Sequence, residues 1–222
     1  MNGLSPKRAW VAAVLAAAVL YFCFFSRAGA FGMIGPDEPR YASIARAMAE
    51  TGDWVTPRLD GQPWFEKPVL YYWGAAAAFR LLGVNDLSAR LPSAIFATLA
   101  ALALAWLARK IYGSGTAWAV LLIFPTCVGV FAFARAGTTD MPFSASLALA
   151  MVAAYRAIGN GQQPPLRKWQ ILFGALLGLA ALAKGPAAIV LASGSAGLWS
   201  LATGRWKHAW RLAHPLAVMA FC

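Results

Sequence analysis

The chain has 222 residues, of which 60% are hydrophobic and 12% are charged, and its formal net charge is +11. Burying that much apolar surface in a water-soluble fold would need a core out of proportion to the surface around it, which excludes an ordinary soluble domain. The lysines and arginines lie singly or in pairs between apolar runs, which argues against a nucleic-acid partner. The sequence therefore predicts an all-α, polytopic bundle of transmembrane helices in a lipid bilayer.

Six apolar runs are long enough to cross about 30 Å of hydrocarbon as helices. In chain order they cover about residues 10–33, 91–108, 116–134, 141–157, 169–183 and 186–202. The first run is too long for a signal-peptide core, so we interpret it as an uncleaved span. A partial run, residues 210–222, continues to the last residue, which predicts that residues 1–222 are the amino-terminal part of a larger membrane domain.

The segment at residues 67–83 is apolar, but it is interrupted by Arg80 and is barely long enough to span. If it does not cross, the loops on the amino-terminal side hold ten basic residues and no acid, and all eight acids lie on the other side. A crossing would reverse this distribution, against the positive-inside rule. We therefore expect an outside loop at residues 34–90 with two interfacial amphipathic helices, and a cytoplasmic amino terminus.

The stretch PDEPRYASIARAM, residues 36–48, predicts the first of these interfacial helices. Pro39 suits an opening helical position, with Asp37 or Glu38 as the cap. The residues at helical spacing form the expected buried face: Tyr41, Ile44, Ala45 and Met48.

Charged residues of the same loop form a candidate site. Asp37 and Glu38 lie within one helical turn of Arg40, and a cap with an ion pair would explain a lone DExR motif. Its place at the exit of a span, with WFEKP following in the same loop, favours a functional site. Glu66 and Lys67 of WFEKP have two interpretations. They are a solvated ion pair at the headgroup level, or Lys67 binds a lipid phosphate while the carboxylate beside it acts as a base.

Two further charged residues have both a structural and a functional interpretation. Asp140, in TTDMPF of the second outside loop, can cap the helix that follows, but both outside loops meet over the same face of the bundle. Lys184, in LAKGP, ends a helix before a Gly-Pro break and can interact with the helix dipole. It can equally serve as a further anion contact.

These motifs resemble those of the polyprenyl-phosphate-dependent glycosyltransferases of the GT-C class. The resemblance is closest to the aminoarabinose transferases that modify lipid A, and more distant to the protein O-mannosyltransferases. The matching stretches are PDEPRYASIARAM, GDWVTPRLDGQPWFEKPVLYYW, RLPSAIFATLAAL, TTDMPF and LAKGP, in that order. The resemblance implies a bacterial inner-membrane enzyme with a periplasmic active site. Such an enzyme moves a sugar from an undecaprenyl phosphate carrier to lipid A or another envelope acceptor.

The resemblance also implies roles for individual residues. Asp37 would be the catalytic carboxylate, and Lys67 with Arg40 would contact the carrier phosphate. Glu66 would shape the catalytic site or hold a divalent metal ion, and no other cofactor is expected. The remaining candidate substrate contacts are Glu38, Tyr41, Asp140 and Lys184. The expected stereochemistry is inversion. A single displacement needs only one carboxylate, on the acceptor side, because a phosphate leaves without an acid.

Two other classes of function compete with this interpretation. A transporter or lipid flippase would carry ionisable residues near the middle of its spans, whereas the charges of this sequence gather at one face. A non-catalytic membrane scaffold, favoured by a truncated chain, would tolerate replacement of Asp37.

Overall fold

The structure is a computed structural model that describes residues 6–158 and 167–222. Within these ranges the chain is helical apart from its connecting loops and one hairpin of two short strands, which confirms the all-α fold class. The chain divides into two compact units, Met1–Pro142 and Phe143–Cys222. The charged residues of the predicted first outside loop all belong to the first unit.

The first unit opens with α1, Pro6–Leu20, which continues into a π-helical turn, Tyr21–Phe25. Alanine, leucine and valine dominate the described part of α1. The π-helical turn closes where the Ser26 N–H donates to the Tyr21 carbonyl at 2.9 Å. The helix therefore ends well before residue 33, the predicted end of the first span.

Two helices pack together in the predicted outside loop: α2, Asp37–Thr51, and α3, Leu70–Leu82. The predicted face of α2 is buried, which confirms the helical spacing of its apolar residues. This face packs with one side of α3 in a single core: Tyr41, Ile44, Ala45, Met48, Tyr71, Tyr72, Ala75, Ala76 and Phe79. Gly52 ends α2 with a left-handed backbone, and its N–H donates to the Met48 carbonyl.

The predicted acidic cap of α2 is wrong. Asp37 is already the first helical residue, Pro36 occupies the cap position, and no side chain caps the helix. Asp37 and Glu38 instead form the acidic first turn, where negative charge interacts favourably with the helix dipole.

The second half of the first unit is built on α4, Asp86–Tyr112, which Asn85 caps by accepting the Ser88 N–H at 2.9 Å. An alanine-rich side of α4 is buried against its neighbours. The chain returns through α5, Ser114–Ile123, a 3-10 turn, Phe124–Thr126, and α6, Val128–Ala134. The path bends by 66° between the turn and α6, where Pro125 removes a helical hydrogen bond.

Helix α7, Asp140–Ile158, begins in the first unit and continues into the second. The second unit then contains α8, Arg167–Lys184, and α9, Ala187–Thr203. It ends with three short elements: α10, Trp206–Ala209, a 3-10 turn, Trp210–Ala213, and α11, Pro215–Phe221. Gly174 permits a close approach of α8 to α11, since a side chain there would collide with the backbone of Ala217.

Among the residues that the structure describes, α4 and α7 are long and apolar enough to cross a membrane. The bent pair Ser114–Thr126 and Val128–Ala134 makes a third if it is one span. The apolar helices at Ala9–Phe25 and Ala187–Thr203 are shorter, and α8 includes three basic residues. The remaining spans of the six-span arrangement stay predictions.

Candidate functional site

A tight hairpin places the WFEKP motif beside α2. Strands β1, Arg58–Leu59, and β2, Gln62–Pro63, pair antiparallel across Asp60 and Gly61, which both have positive φ angles of 50° and 80°. An Asp-Gly pair with two positive φ angles forms the turn that matches the twist of a hairpin. The Trp64 N–H then donates to the Pro57 carbonyl at 2.8 Å, so the residues that follow are held at a fixed position.

Arg40 joins the two charged motifs that the sequence analysis singled out. Its Nη2 donates to Asp37 Oδ1 at 3.0 Å, and its Nη1 donates to Glu66 Oε2 at 3.1 Å. Lys67 Nζ lies 3.4 Å from Glu66 Oε1. The structure thus brings together four predicted site residues in one group, the charged cluster: Asp37, Arg40, Glu66 and Lys67.

The charged cluster is open to solvent on its acidic side. The side chains of Asp37 and Glu66 are 54% and 41% exposed, whereas those of Arg40 and Lys67 are about one third exposed. Ion pairs this exposed contribute only about 0–1 kcal/mol each. A phosphate can therefore replace either carboxylate on Arg40 at small cost, because the two cations are already held together.

Four aromatic rings, the aromatic cluster, support Arg40 from the protein interior: Tyr41, Trp64, Tyr71 and Tyr72. The Arg40 guanidinium lies 5.9 Å from the centre of the Tyr41 ring and 6.0 Å from that of Trp64, within cation–π range. The rings of Tyr41 and Tyr72 meet edge to face at 5.9 Å. Burial, together with the charges of Asp37 and Glu66, raises the pKa of Tyr41, so its hydroxyl stays protonated.

Two polar atoms of the aromatic cluster are buried without a hydrogen-bond partner in the part of the chain that the structure describes. They are the indole Nε1 of Trp64 and the hydroxyl of Tyr72. Burial, and then the charges of Tyr41 and Glu66, raise the pKa of Tyr72, so this hydroxyl remains a donor. Buried donors without a partner are costly, and they are a feature of ligand sites.

Behind the charged cluster lies a second, buried group centred on Arg90, which has no exposed side-chain surface. Its Nε donates to Glu38 Oε1 at 3.1 Å and its Nη2 to Glu38 Oε2 at 2.8 Å. Its other N–H groups donate to the carbonyls of Ala28, Phe31 and Gly32 at 2.6–2.9 Å. All five donors of the guanidinium therefore have acceptors.

Glu38 receives two further hydrogen bonds from the backbone. The N–H groups of Ile34 and Gly137 each donate to its carboxylate at 2.6 Å. Burial alone would raise the pKa of Glu38, but the hydrogen bonds from Arg90 and from these two N–H groups outweigh it, and the net pKa lies below its usual value. We call Glu38 and Arg90 the buried pair.

Glu38 lies behind the open charged cluster, inside the protein. Both of its oxygens accept hydrogen bonds, and the residue is only 4% exposed. Glu38 connects three segments: α2, the start of α4 and the loop before α7. The substrate contact assigned to it stays a prediction. Gly137 in that loop is tightly enclosed, because a side chain there would meet the Tyr71 hydroxyl at 2.9 Å.

Asp140 begins α7, three residues after Gly137. Its negative charge contributes to the raised pKa of Tyr41, which places Asp140 in the electrostatic neighbourhood of the aromatic cluster. Lys184 ends α8 in the second unit, where its Nζ lies 5.8 Å from the centre of the Phe143 ring. The substrate contacts assigned to Asp140 and Lys184 stay predictions.

Glu66, the candidate metal ligand, has Arg40 and Lys67 as its neighbours. Residues 6–158 and 167–222 contain no group of three or more His, Cys, Asp or Glu side chains placed to hold a metal ion. A divalent ion at Glu66 stays a prediction.

The sequence patterns did not predict the roles of Arg90, Gly137 and the two unpaired donors of Trp64 and Tyr72. A signal for Arg90 was present, because it directly precedes a predicted span and a charge at that depth needs a partner. No local pattern identifies Gly137 or the unpaired donors, since their environments are made by contacts distant in sequence.

The fold and the site define an integral membrane protein of helical architecture whose charged cluster lies in the loop before its first long apolar helix. The chain matches the dolichyl-phosphate-mannose-protein mannosyltransferase family over residues 9–222, and it belongs to that family. Curated relatives and solved structures confirm the predicted similarity to GT-C glycosyltransferases of the aminoarabinose transferase branch.

Two of these relatives are named undecaprenyl phosphate-α-4-amino-4-deoxy-L-arabinose arabinosyl transferases. The protein of Enterobacter sp. (strain 638) is 32% identical over 187 residues, which cover 83% of this chain and 34% of that protein. The protein of Pseudomonas aeruginosa (strain UCBPP-PA14) is 30% identical over 209 residues, which cover 94% of this chain and 37% of that protein. The chain thus spans about one third of the length of these curated relatives.

The crystal structures of ArnT from Cupriavidus metallidurans have a similar fold. The apo structure gives a TM-score of 0.88 at 29% identity, over 98% of this chain and 40% of that one. The structure bound to undecaprenyl phosphate gives a TM-score of 0.83 at 27% identity, over 96% of this chain and 39% of that one. The similarity thus extends over both units of this chain.

Proposed function

We propose that this chain is part of a membrane glycosyltransferase that uses an undecaprenyl phosphate sugar as donor and lipid A or another envelope glycan as acceptor. The observation that carries the proposal is the charged cluster, in which two cations and two exposed carboxylates meet within hydrogen-bonding distance. Support comes from a relative of the same fold whose crystal structure is bound to undecaprenyl phosphate.

We place the enzyme in the bacterial inner membrane with the charged cluster on the periplasmic face. The support is the charge distribution, since the predicted topology puts ten basic residues and no acid on the amino-terminal side. Residues 1–222 are then the amino-terminal part of the GT-C membrane domain. The partners are the lipid-linked sugar, the envelope acceptor and the bilayer.

The carrier phosphate binds to Arg40 and Lys67 in this proposal. A guanidinium can hold two phosphate oxygens at once, whereas the lysine acts as a compact point charge. Because Arg40 now donates to Asp37 and Glu66, an incoming phosphate exchanges with a carboxylate and leaves Asp37 free to act. Donor binding and activation of the base are therefore one event.

Asp37 then serves as the general base of a single displacement. An oxygen of the acceptor forms a bond to the anomeric carbon as the bond from that carbon to the phosphate oxygen breaks. The electron pair leaves with the phosphate, whose charge Arg40 and Lys67 stabilise, and a proton carried by the acceptor oxygen moves to Asp37. The configuration of the sugar inverts, since only one displacement occurs.

The unpaired donors of Trp64 and Tyr72 are suited to the polar groups of the lipid-linked sugar. Both atoms belong to the aromatic cluster that supports Arg40, so they lie beside the proposed phosphate position. Each would gain a hydrogen-bond partner when the donor substrate binds, which offsets the cost of leaving the group unpaired.

The transporter interpretation receives less support. The charged residues of the two long apolar helices lie near their ends, with Asp86, Arg90, Arg109 and Lys110 on α4 and Asp140 and Arg156 on α7. A transport pathway would place ionisable groups near the middle of such helices. Charges at helix ends instead favour chemistry at the membrane surface.

Mass spectrometry of lipid A and other envelope glycans tests the proposal. Cells expressing the complete gene should show a sugar-sized mass increase on one acceptor, and Asp37→Asn should abolish it. Glu50→Gln is the matched control, because Glu50 is an equally exposed acid on α2 that pairs only with Arg46 in the described structure. If Asp37→Asn and the unaltered protein gave the same modification, the proposed role of Asp37 would be wrong. If the unaltered protein itself gave no modification, the enzymatic proposal would be wrong.

A further inference from the structure

A cavity of about 360 Å³ lies between α1, α4 and α5, far from the charged cluster. This volume is within the range of pockets that bind small molecules. Its lining combines apolar walls with two indole rings and one basic side chain: Leu102, Ala105, Trp106, Arg109, Trp118 and Leu121. Nothing in the proposed glycosyl transfer uses these residues.

The cavity and the buried pair lie at opposite ends of α4. Arg90, near the start of the helix, binds Glu38, whereas Arg109 lies nineteen residues further along. A rise of 1.5 Å per residue separates them by about 28 Å, close to the thickness of the hydrocarbon layer. The cavity is therefore at the other membrane surface, and a carrier phosphate held by Arg40 cannot also occupy it.

The charge at this end of α4 is positive and unbalanced. Arg109 and Lys110 occupy the last helical turn, and neither forms an ion pair with any residue that the structure describes. Cations in a last turn interact with the helix dipole, which accounts for both charges. The helix dipole explains the charge of Arg109 but not why this residue lines a cavity together with two tryptophans.

We propose that this cavity binds an anionic glycerophospholipid, with Arg109 contacting the headgroup phosphate and one acyl chain lying against Leu102 and Leu121. Tryptophan is enriched at the headgroup level of membranes, where Trp106 and Trp118 would flank the glycerol region. Basic pockets between transmembrane helices bind anionic headgroups by charge attraction. A free phosphate would leave the apolar walls in contact with water, so the geometry favours a lipid.

Native mass spectrometry of the complete protein tests this site. The protein is ejected from nanodiscs that contain equal amounts of phosphatidylglycerol and phosphatidylcholine with the same acyl chains. The retained lipid should be enriched in phosphatidylglycerol by about fivefold, as expected for one basic residue at an anionic surface. Arg109→Gln should remove this enrichment, and Arg109→Lys should retain most of it.

Arg46→Gln is the matched control, because it removes one exposed positive charge from α2 and leaves the cavity unchanged. It should keep the wild-type enrichment. Equal retention of the two lipids by the unaltered protein would overturn the proposal. Enrichment that survived Arg109→Gln, or that vanished equally with Arg46→Gln, would also overturn it, since the lipid would then be bound elsewhere or by overall charge.

Discussion

Asp37 and Glu38 are consecutive residues of one helix, yet they belong to two regions with opposite environments. The Asp37 side chain is 54% exposed and shares Arg40 with Glu66 in the charged cluster. Glu38 is buried, and its two oxygens receive four hydrogen bonds from Arg90 and from two backbone N–H groups. Of two neighbouring carboxylates in the same motif, one is therefore open to solvent and the other is held in the interior.

The two regions differ in whether their charged groups already have all the hydrogen-bond partners they can take. In the buried pair, every guanidinium donor already has an acceptor, so the group can bind nothing more. In the charged cluster, the ion pairs are exposed and weak, so they can exchange partners with a substrate. The buried pair fixes the first turn of α2, and thereby holds Asp37 and Arg40 in the charged cluster, the proposed phosphate site.

Arg90→Ala should have the largest effect on stability, because it leaves Glu38 buried without its guanidinium partner. Removing one member of a buried ion pair costs about 3–5 kcal/mol. The free energy of unfolding of the complete protein in detergent micelles should fall by this amount. Chemical unfolding followed by circular dichroism measures the change.

Lys67→Gln is the corresponding change in the charged cluster and should separate activity from stability. Its free energy of unfolding should change by less than about 1 kcal/mol, since the pair is exposed. Sugar transfer should fall by about 100-fold or more, because one charge that stabilises the leaving phosphate is lost. If Arg90→Ala were as stable as Lys67→Gln, the distinction between the two regions would be wrong.

Lowering the pH should weaken the buried pair. The pKa of Glu38 is lower in the folded protein than in the unfolded chain, so its contribution to stability is fully present above the usual glutamate value of about 4.3. This contribution is lost as the pH falls through the lower, folded pKa. The unfolding free energy should therefore decrease below pH about 4 in the unaltered protein.

Glu38→Gln provides the control for this pH dependence, because an amide does not titrate in this range. The variant should be less stable at neutral pH, and its stability should fall less steeply between about pH 4 and pH 2. Parallel curves for the two proteins would show that other carboxyl groups cause the acid sensitivity.

Sequence patterns predicted the charged cluster because its residues lie in two short motifs of one loop. The same local reasoning predicted the buried face of α2, where Tyr41, Ile44, Ala45 and Met48 follow helical spacing. The buried pair escaped prediction because Glu38 and Arg90 are 52 positions apart, and no spacing rule connects residues at that distance. The acidic cap was wrong because the helix already includes Asp37 and Glu38, and Pro36 occupies the cap position.

Apolar length also could not predict where a span bends. The run at residues 116–134 is apolar throughout, but the chain bends by 66° after Pro125 and is not a straight helix. The hairpin before WFEKP was also overlooked, although its Asp60-Gly61 turn is a recognised signal. Its strands have only two residues each, too few for an alternating pattern.

Tyr72→Phe should raise the free energy of unfolding slightly and lower the rate of sugar transfer. The Tyr72 hydroxyl has no hydrogen-bond partner in the described structure, so its removal should raise the free energy of unfolding by up to about 1 kcal/mol. If the hydroxyl donates to the lipid-linked sugar, transfer should fall by about tenfold, equivalent to one hydrogen bond.

Tyr71→Phe is the matched control for this change, because the hydroxyl of Tyr71 already donates to the Ala89 carbonyl at 2.9 Å. Its removal leaves a buried carbonyl without that donor and should lower the free energy of unfolding by about 1–3 kcal/mol. Unfolding curves and transfer rates of both variants distinguish the two roles. If Tyr72→Phe lost stability as Tyr71→Phe does, and transfer were unchanged, the Tyr72 hydroxyl would have a structural role and would not bind the substrate.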